Sequence, residues 1–278
     1  MGREQNRTTF AGCSHCISHD RTQVCHNPPG GDHPDRMISR VIAPWIRLPR
    51  SLLWLGGAFL LLIIGVSLGL HQALDRAVAA TLWQDVPCWG RGLGDYASIL
   101  FAAELSVVYA LGLGLVCLRA RQPAAAGAIV GLLFVSVGLE LLFKHYFSHP
   151  DPSAFLGTVS RAACGPAGPA YPFTTVQTPS TLPSGYSIRA AYFCLLVAAM
   201  IGGRWPSLRV AALVVLGTVA LVTAASRVTV GWHWPTDVAA GLLLGACFAV
   251  LATAVAGDFA WLREPGTRSR GATSAGFG

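Results

Sequence analysis

Apolar residues gather into six runs that carry almost no charge, at about 51–70, 98–118, 124–143, 185–203, 208–225 and 236–256. Each is about 20 residues long, enough to cross the hydrocarbon core of a bilayer as a helix. Lipid offers backbone amides no partner, so a helix, which pairs them internally, is the expected form of each run. The pattern predicts an all-α protein, a six-transmembrane-helix bundle over residues 51–256. The polar stretch 1–50 is rich in His, Cys, Pro and Gly and lacks the apolar core of a signal peptide. It reads as a disordered tail, within which Met37 is an alternative start. Residues 257–278 read as a second disordered tail.

Composition agrees: 53% of residues are hydrophobic and 12% charged, about half the ~25% charged share of a soluble domain. The net charge of +7 rests on 19 arginines and a single lysine, Lys144. Most arginines flank apolar runs, which fits control of topology and argues against nucleic acid as a partner. Arg40, Arg47 and Arg50 precede the first run, and Arg119 and Arg121 separate the second from the third. Arg204 and Arg209 separate the fourth from the fifth, and Arg263, Arg268 and Arg270 follow the sixth. With six spans all of these fall on one side, which the positive-inside rule makes cytoplasmic, both termini included. The stretches 71–97, 147–182 and 226–235 are then non-cytoplasmic.

The residues able to do chemistry lie on that other side. The densest stretch is Ser226-Arg227-Val-Thr-Val-Gly-Trp-His233-Trp-Pro-Thr-Asp237, at the mouth of the sixth run. Pro235 suits the first turn of a helix, where no N–H is needed. Asp237 follows His233 by four residues, so a short turn brings carboxylate to imidazole. A carboxylate on one ring nitrogen fixes the tautomer and leaves the other nitrogen free to attack. Arg227 offers a planar fork of donors suited to phosphate oxygens. Trp232 and Trp234 also suit an interfacial aromatic belt, which explains the tryptophans but not Ser-Arg, His and Asp arriving together.

Two more stretches share this side. Pro183-Ser184-Gly185-Tyr186 opens the fourth run. A helix start presents free N–H groups to an anion; Ser184 can cap it or donate to a phosphate oxygen, and Gly185 admits close backbone approach. Lys144-His-Tyr-Phe-Ser-His149-Pro150-Asp151-Pro152 closes the third run. A lysine at a helix end commonly snorkels to the interface. As the chain's one lysine, beside the other two stretches, Lys144 is a candidate phosphate clamp. Glu140, one turn earlier, either pairs with it or faces the bundle interior. Arg189, about one turn into the fourth run, either snorkels outward or faces the site.

Together these stretches resemble the three-part signature of the type 2 phosphatidic acid phosphatase superfamily: Lys-x6-Arg-Pro, Pro-Ser-Gly-His and Ser-Arg-x5-His-x3-Asp. The third part matches at every fixed position from Ser226 to Asp237. The resemblance spans about residues 51–256. It implies a multi-pass enzyme of the cell membrane that hydrolyses lipid phosphates or diphosphates at the non-cytoplasmic face, without a metal or other cofactor. It implies that His233 is transiently phosphorylated, that Asp237 orients it, and that Lys144, Arg227, Ser184 and the Gly185 amide hold the phosphate.

Two positions depart from the signature. The arginine of the first part is Asp151 here, although Pro152 stays. Its carboxylate is expected to point away from phosphate, with His149 or Arg161 as substitutes. The histidine of the second part, the family's general acid, is Tyr186. A phenol, with pKa near ~10, donates a hydrogen bond but relays protons poorly at neutral pH. An alkoxide leaving a monoester needs that proton, whereas a lipid phosphate leaving a diphosphate, with conjugate acid pKa near ~6, hardly does. The expected substrate is therefore a polyprenyl diphosphate, such as undecaprenyl diphosphate, in preference to phosphatidate. His145 and His149 are other candidates for the missing proton. The competing readings are an impaired member that only binds lipid, and a lipid phosphotransferase.

The remaining signals are smaller. Cys13, His15, Cys16, His19, Cys25 and His26 cluster, but only Cys13 and Cys16 have a familiar zinc-ligand spacing, so a disordered tail is favoured there. Cys88 and Cys164 share the non-cytoplasmic side, where a disulfide between them is permitted. Cys117, Cys194 and Cys247 sit in apolar runs and are expected to pack.

Overall fold

The computed structural model describes residues 49–150, 152 and 180–262. Residues 1–48, with the Cys/His cluster, and 263–278 lie outside these residues, as do Asp151, Arg161 and Cys164, whereas 257–262, expected at the start of a disordered tail, are folded. The described chain is helical: α1 Arg50–Ser67, α2 Gln72–Asp85, α3 Cys88–Ile99, α4 Ala103–Arg119, α5 Pro123–Tyr146, α6 Gly185–Arg204, α7 Arg209–Thr229 and α8 Pro235–Val255. Short 3-10 turns follow α6 and α8, at Pro206–Leu208 and Gly257–Leu262. Each of the six apolar runs forms a helix, namely α1 and α4 to α8. Five of these are long and apolar enough to cross a membrane, and α4, at 17 residues, is just shorter.

The stretch 71–97, expected only to connect, is itself folded as α2 and most of α3. Gly94 of α3 lies flat against α7: a Cβ there would meet Ser226 Cβ at 2.5 Å. Cys88, at the start of α3, is disulfide-bonded, and its expected partner Cys164 lies outside the described residues. Cys117, Cys194 and Cys247 are free thiols packed among the helices.

Helix α6 is the axis of the bundle. Two-thirds of its apolar window (67%) is buried, against 11% in α1 and 17% in α7, whose Leu and Val side chains face outward. Small residues allow this. A Cβ at Gly241 of α8 would lie 2.8 Å from Ser187 Cβ, and one at Gly245 would lie 2.9 Å from Ala191 Cβ. A glycine pair four residues apart lets two helix backbones touch, the usual device for close packing in membranes. Asp237 precedes Gly241 by one turn, so the same stripe presses it against the start of α6: the Ser184 N–H donates to the Asp237 carbonyl at 3.0 Å. Beyond α8, Gly257 adopts φ +62°, a left-handed turn that suits glycine, and returns fully buried Phe259 to the core.

Candidate active site

Four helix ends meet on one rim: the C-termini of α5 and α7 and the N-termini of α6 and α8. Helix α7 stops at Thr229, and Gly231, at φ +73°, reverses the chain. The Arg227 carbonyl then accepts from both Trp232 N (3.0 Å) and His233 N (3.1 Å), which folds His233 back over the end of its own helix. Pro235 occupies the first position of α8 and Asp237 the third. There its Oδ2 accepts from the Trp234 N–H at 2.9 Å and lies 3.5 Å from His233 Nδ1. Asp237 is fully buried and His233 nearly so.

The opening of α6 supplies the facing wall. The hydroxyls of Ser184 and Ser187 are buried without a hydrogen-bond partner among the described residues. Gly185 abuts Glu140 so closely that any Cβ would collide with that carboxylate. Glu140 does both things expected of it: buried in the bundle, it pairs with Lys144 Nζ at 2.8 Å and with Arg189 Nη1 at 3.0 Å. Arg189 is thereby turned inward, and its Nε donates to the Phe101 carbonyl at 2.8 Å. Tyr186 lies between two guanidinium groups, with Arg189 Cζ 5.2 Å and Arg227 Cζ 4.8 Å from its ring centroid. Such cation–π contacts hold planar cations in place over an aromatic face. Arg227 also donates from Nη2 to Ser98 Oγ, one turn past Gly94 on α3.

All seven expected site residues therefore lie on one closed circuit. Lys144 meets Glu140, which meets Gly185 and Arg189. Arg189 and Arg227 share Tyr186, and the Arg227 backbone holds His233. His233 meets Asp237, whose carbonyl returns to Ser184. His145 is exposed and off the circuit, stacked edge-on against Tyr146 at 5.1 Å. Trp232 is 45% exposed, as a belt residue would be, whereas Trp234 is buried and donates from Nε1 to the Pro150 carbonyl at 2.8 Å.

His149 takes a place that spacing did not reveal. Its Nδ1 lies 2.6 Å from Asp237 Oδ1, closer than His233 does, and its Nε2 lies 2.9 Å from His71 Nε2. With both ring nitrogens engaged it is not placed as a proton donor to a substrate. Ser180 secures the loop by receiving the His149 N–H at 3.2 Å and the Leu182 N–H at 3.3 Å, which ties the end of α5 to the start of α6. His71 and Asp75, at the start of α2, went unnoticed in the sequence although they repeat the His-x3-Asp spacing of His233 and Asp237. The Asp75 carboxylate accepts from Thr236 N at 3.0 Å and Thr236 Oγ1 at 2.6 Å. Burial pushes the Asp75 carboxyl above its ordinary range, against the opposing pull of the Thr236 bonds and the two imidazoles.

No curated protein sequence matches the chain significantly. Among solved structures it is similar to a crystal structure described as the first transmembrane PAP2-type phosphatidylglycerolphosphate phosphatase, from Bacillus subtilis. The TM-score is 0.59 at 19% identity, covering 74% of this chain and 95% of that one. This likeness is one of fold, and with the long apolar helices it makes the chain a multi-pass helical membrane protein. The family model for the PAP2 superfamily matches residues 124–261, which span α5 to α8 and include all seven expected site residues, five of them on those helices, with Ser184 just before α6 and His233 just before α8. The chain belongs to the PAP2 superfamily.

Proposed function

We infer that the chain is a membrane phosphatase for lipid phosphates and diphosphates, working through a phosphohistidine at His233. The reading is supported by the closed circuit, which links His233 and Asp237 with the cations Lys144, Arg189 and Arg227 and with Ser184, whose hydroxyl has no hydrogen-bond partner among the described residues. Lys144, Arg189 and Arg227 outnumber the two carboxylates of the circuit, Glu140 and Asp237, an excess of positive charge suited to a phosphate. Ser184 Oγ and the first N–H groups of α6 offer donors to its oxygens.

With Nδ1 protonated towards Asp237, the His233 Nε2 lone pair attacks phosphorus; the P–N bond forms as the P–O bond to the lipid breaks, and the lipid leaves with that electron pair. Asp237 offsets the positive charge that develops on the ring. Water then adds at phosphorus, the P–N bond breaks back to the imidazole, and inorganic phosphate departs. No step requires a metal.

Tyr186 bears on the substrate. Held between two guanidinium groups, it positions cations in place of relaying a proton. A leaving group that departs as a phosphate anion suits such a site better than an alkoxide, which favours a polyprenyl diphosphate over phosphatidate. The reading puts the site on the non-cytoplasmic side, with six spans and both termini inside; it is supported by the position of Arg119, Arg121, Arg204 and Arg209 at the opposite helix ends, where the positive-inside rule favours the cytoplasm.

The test is phosphate release by the purified protein from a polyprenyl diphosphate and from phosphatidate, beside His233→Ala. Release by wild type alone, with the diphosphate preferred, supports the reading. Equal release by both proteins sinks the enzyme, and a preference for phosphatidate sinks the leaving-group argument. Tight lipid binding with no turnover would establish the second reading, an impaired lipid-binding member, which Tyr186 favours.

A further inference from the structure

Behind the His233–Asp237 pair lies a group of side chains that the phosphatase chemistry leaves unused. His71, Asp75 and His149 each bring one ligand-type atom into a group lying within 4.8 Å of one another. His149 Nε2 is 2.9 Å from His71 Nε2 and 3.9 Å from Asp75 Oδ2. Two atoms bound to one zinc-sized ion at about 2.0–2.2 Å lie roughly 3–3.5 Å apart. The two measured separations bracket that range, so small side-chain rotations would place all three atoms on one ion.

The surroundings support the same conclusion. Asp237 Oδ1, 2.6 Å from His149 Nδ1, keeps the proton on that nitrogen and directs the Nε2 lone pair at His71 and Asp75. Thr236 fixes the Asp75 carboxylate with two bonds. Metal-binding histidines and carboxylates are characteristically braced in this way, the outer partner setting tautomer and orientation. His149 and Asp75 are buried at 4% and 2% exposure, so water competes little for either. Two imidazoles with one carboxylate suit a divalent transition metal; calcium and magnesium prefer all-oxygen sites.

We propose that His71, Asp75 and His149 bind one divalent transition-metal ion, zinc in the simplest case, which braces Asp237 through the His149 ring. The ion is a positioning element: it locks His149 in the tautomer that donates to Asp237, and so steadies the carboxylate that faces His233. Binding of the metal is independent of the phosphatase reading; only its effect on turnover rests on it.

The test uses the full chain in detergent, with Cys13, Cys16 and Cys25 changed to Ser and His15, His19 and His26 to Ala so that the tail cluster contributes nothing. After chelation the protein is titrated with Zn2+ and with Co2+, and metal per chain and the visible Co2+ bands are measured. One equivalent should bind. His71→Ala and Asp75→Ala should each weaken it by at least about tenfold, the scale of losing a ligand or its support. Thr236→Val should weaken it less, and His233→Ala should leave it unchanged. Failure of the parent protein to hold one equivalent overturns the proposal, whatever the variants do. So does an equivalent retained unchanged in both ligand variants. Metal bound as expected in a protein that releases no phosphate would keep this site and discard the phosphatase reading.

Discussion

Two His-x3-Asp pairs open two helices on the same rim, and the fold uses them in different ways. In His233 and Asp237 the two side chains face each other, Nδ1 to Oδ2 at 3.5 Å. In His71 and Asp75 they turn outward to other partners: His71 to His149 at 2.9 Å, Asp75 to the Thr236 hydroxyl at 2.6 Å. Identical spacing produces a facing couple in one case and two outward ligands in the other. The difference is set by the neighbours. Trp234 N and the α6 opening hold Asp237 over its own histidine, while Thr236 draws Asp75 towards α8.

The largest expected contrast tests that division directly. His233→Gln should lower phosphate release by at least about 10³-fold, as loss of a nucleophile does. His71→Gln should cost about tenfold or less, and equal losses would mean that both imidazoles react. The carboxylates should follow in the same order. Asp237→Asn removes the partner that sets the His233 tautomer and should lower kcat roughly 10³-fold, with KM little changed. Asp75→Asn acts at one remove and should cost about tenfold; steady-state kinetics on both variants would show a reversed order if the assignment is wrong.

Thr236→Val sharpens the comparison by separating stability from turnover. It removes a hydroxyl bonded to a buried carboxylate, worth about 1.5–3 kcal/mol, so thermal unfolding in detergent should fall by several degrees. Turnover should stay within about threefold; a collapse of kcat at unchanged melting temperature would move the α2 pair into the chemistry. The smallest effect is expected at Tyr186→His, where an imidazole restores a proton donor. Monoester turnover should rise severalfold and diphosphate turnover hardly at all, and parallel changes would count against the leaving-group argument.

These contrasts also show where the sequence was legible. The six helices could be read because lipid imposes a length and an apolar composition that local sequence must carry. The opening of α8 could be read because Pro235 and the interval from His233 to Asp237 act within one turn. The rest depended on distance along the chain. Asp75 meets Thr236 across 161 residues and His149 meets Asp237 across 88, intervals at which spacing says nothing. Helices α2 and α3 were hidden because glycines at 90, 92 and 94 and Pro87 resemble a loop, while Gly94 in fact lets α3 reach α7 and deliver Ser98 to Arg227. Tyr186 read as a lost acid; its place between two arginines emerged only when α6 and α7 were seen side by side.

The glycines at 241 and 245 carry a mechanical implication. Backbone touches backbone along that seam, where only the small side chains of Ser187 and Ala191 face the two glycines and no long one can slide or tilt. Ser184 and Gly185 on one helix and Asp237 on the other must then travel as a single rigid piece. Any breathing that admits a headgroup has to be borne by the more loosely held elements around this piece, and the distance from the anion seat to the Asp237 end of α8 stays constant throughout.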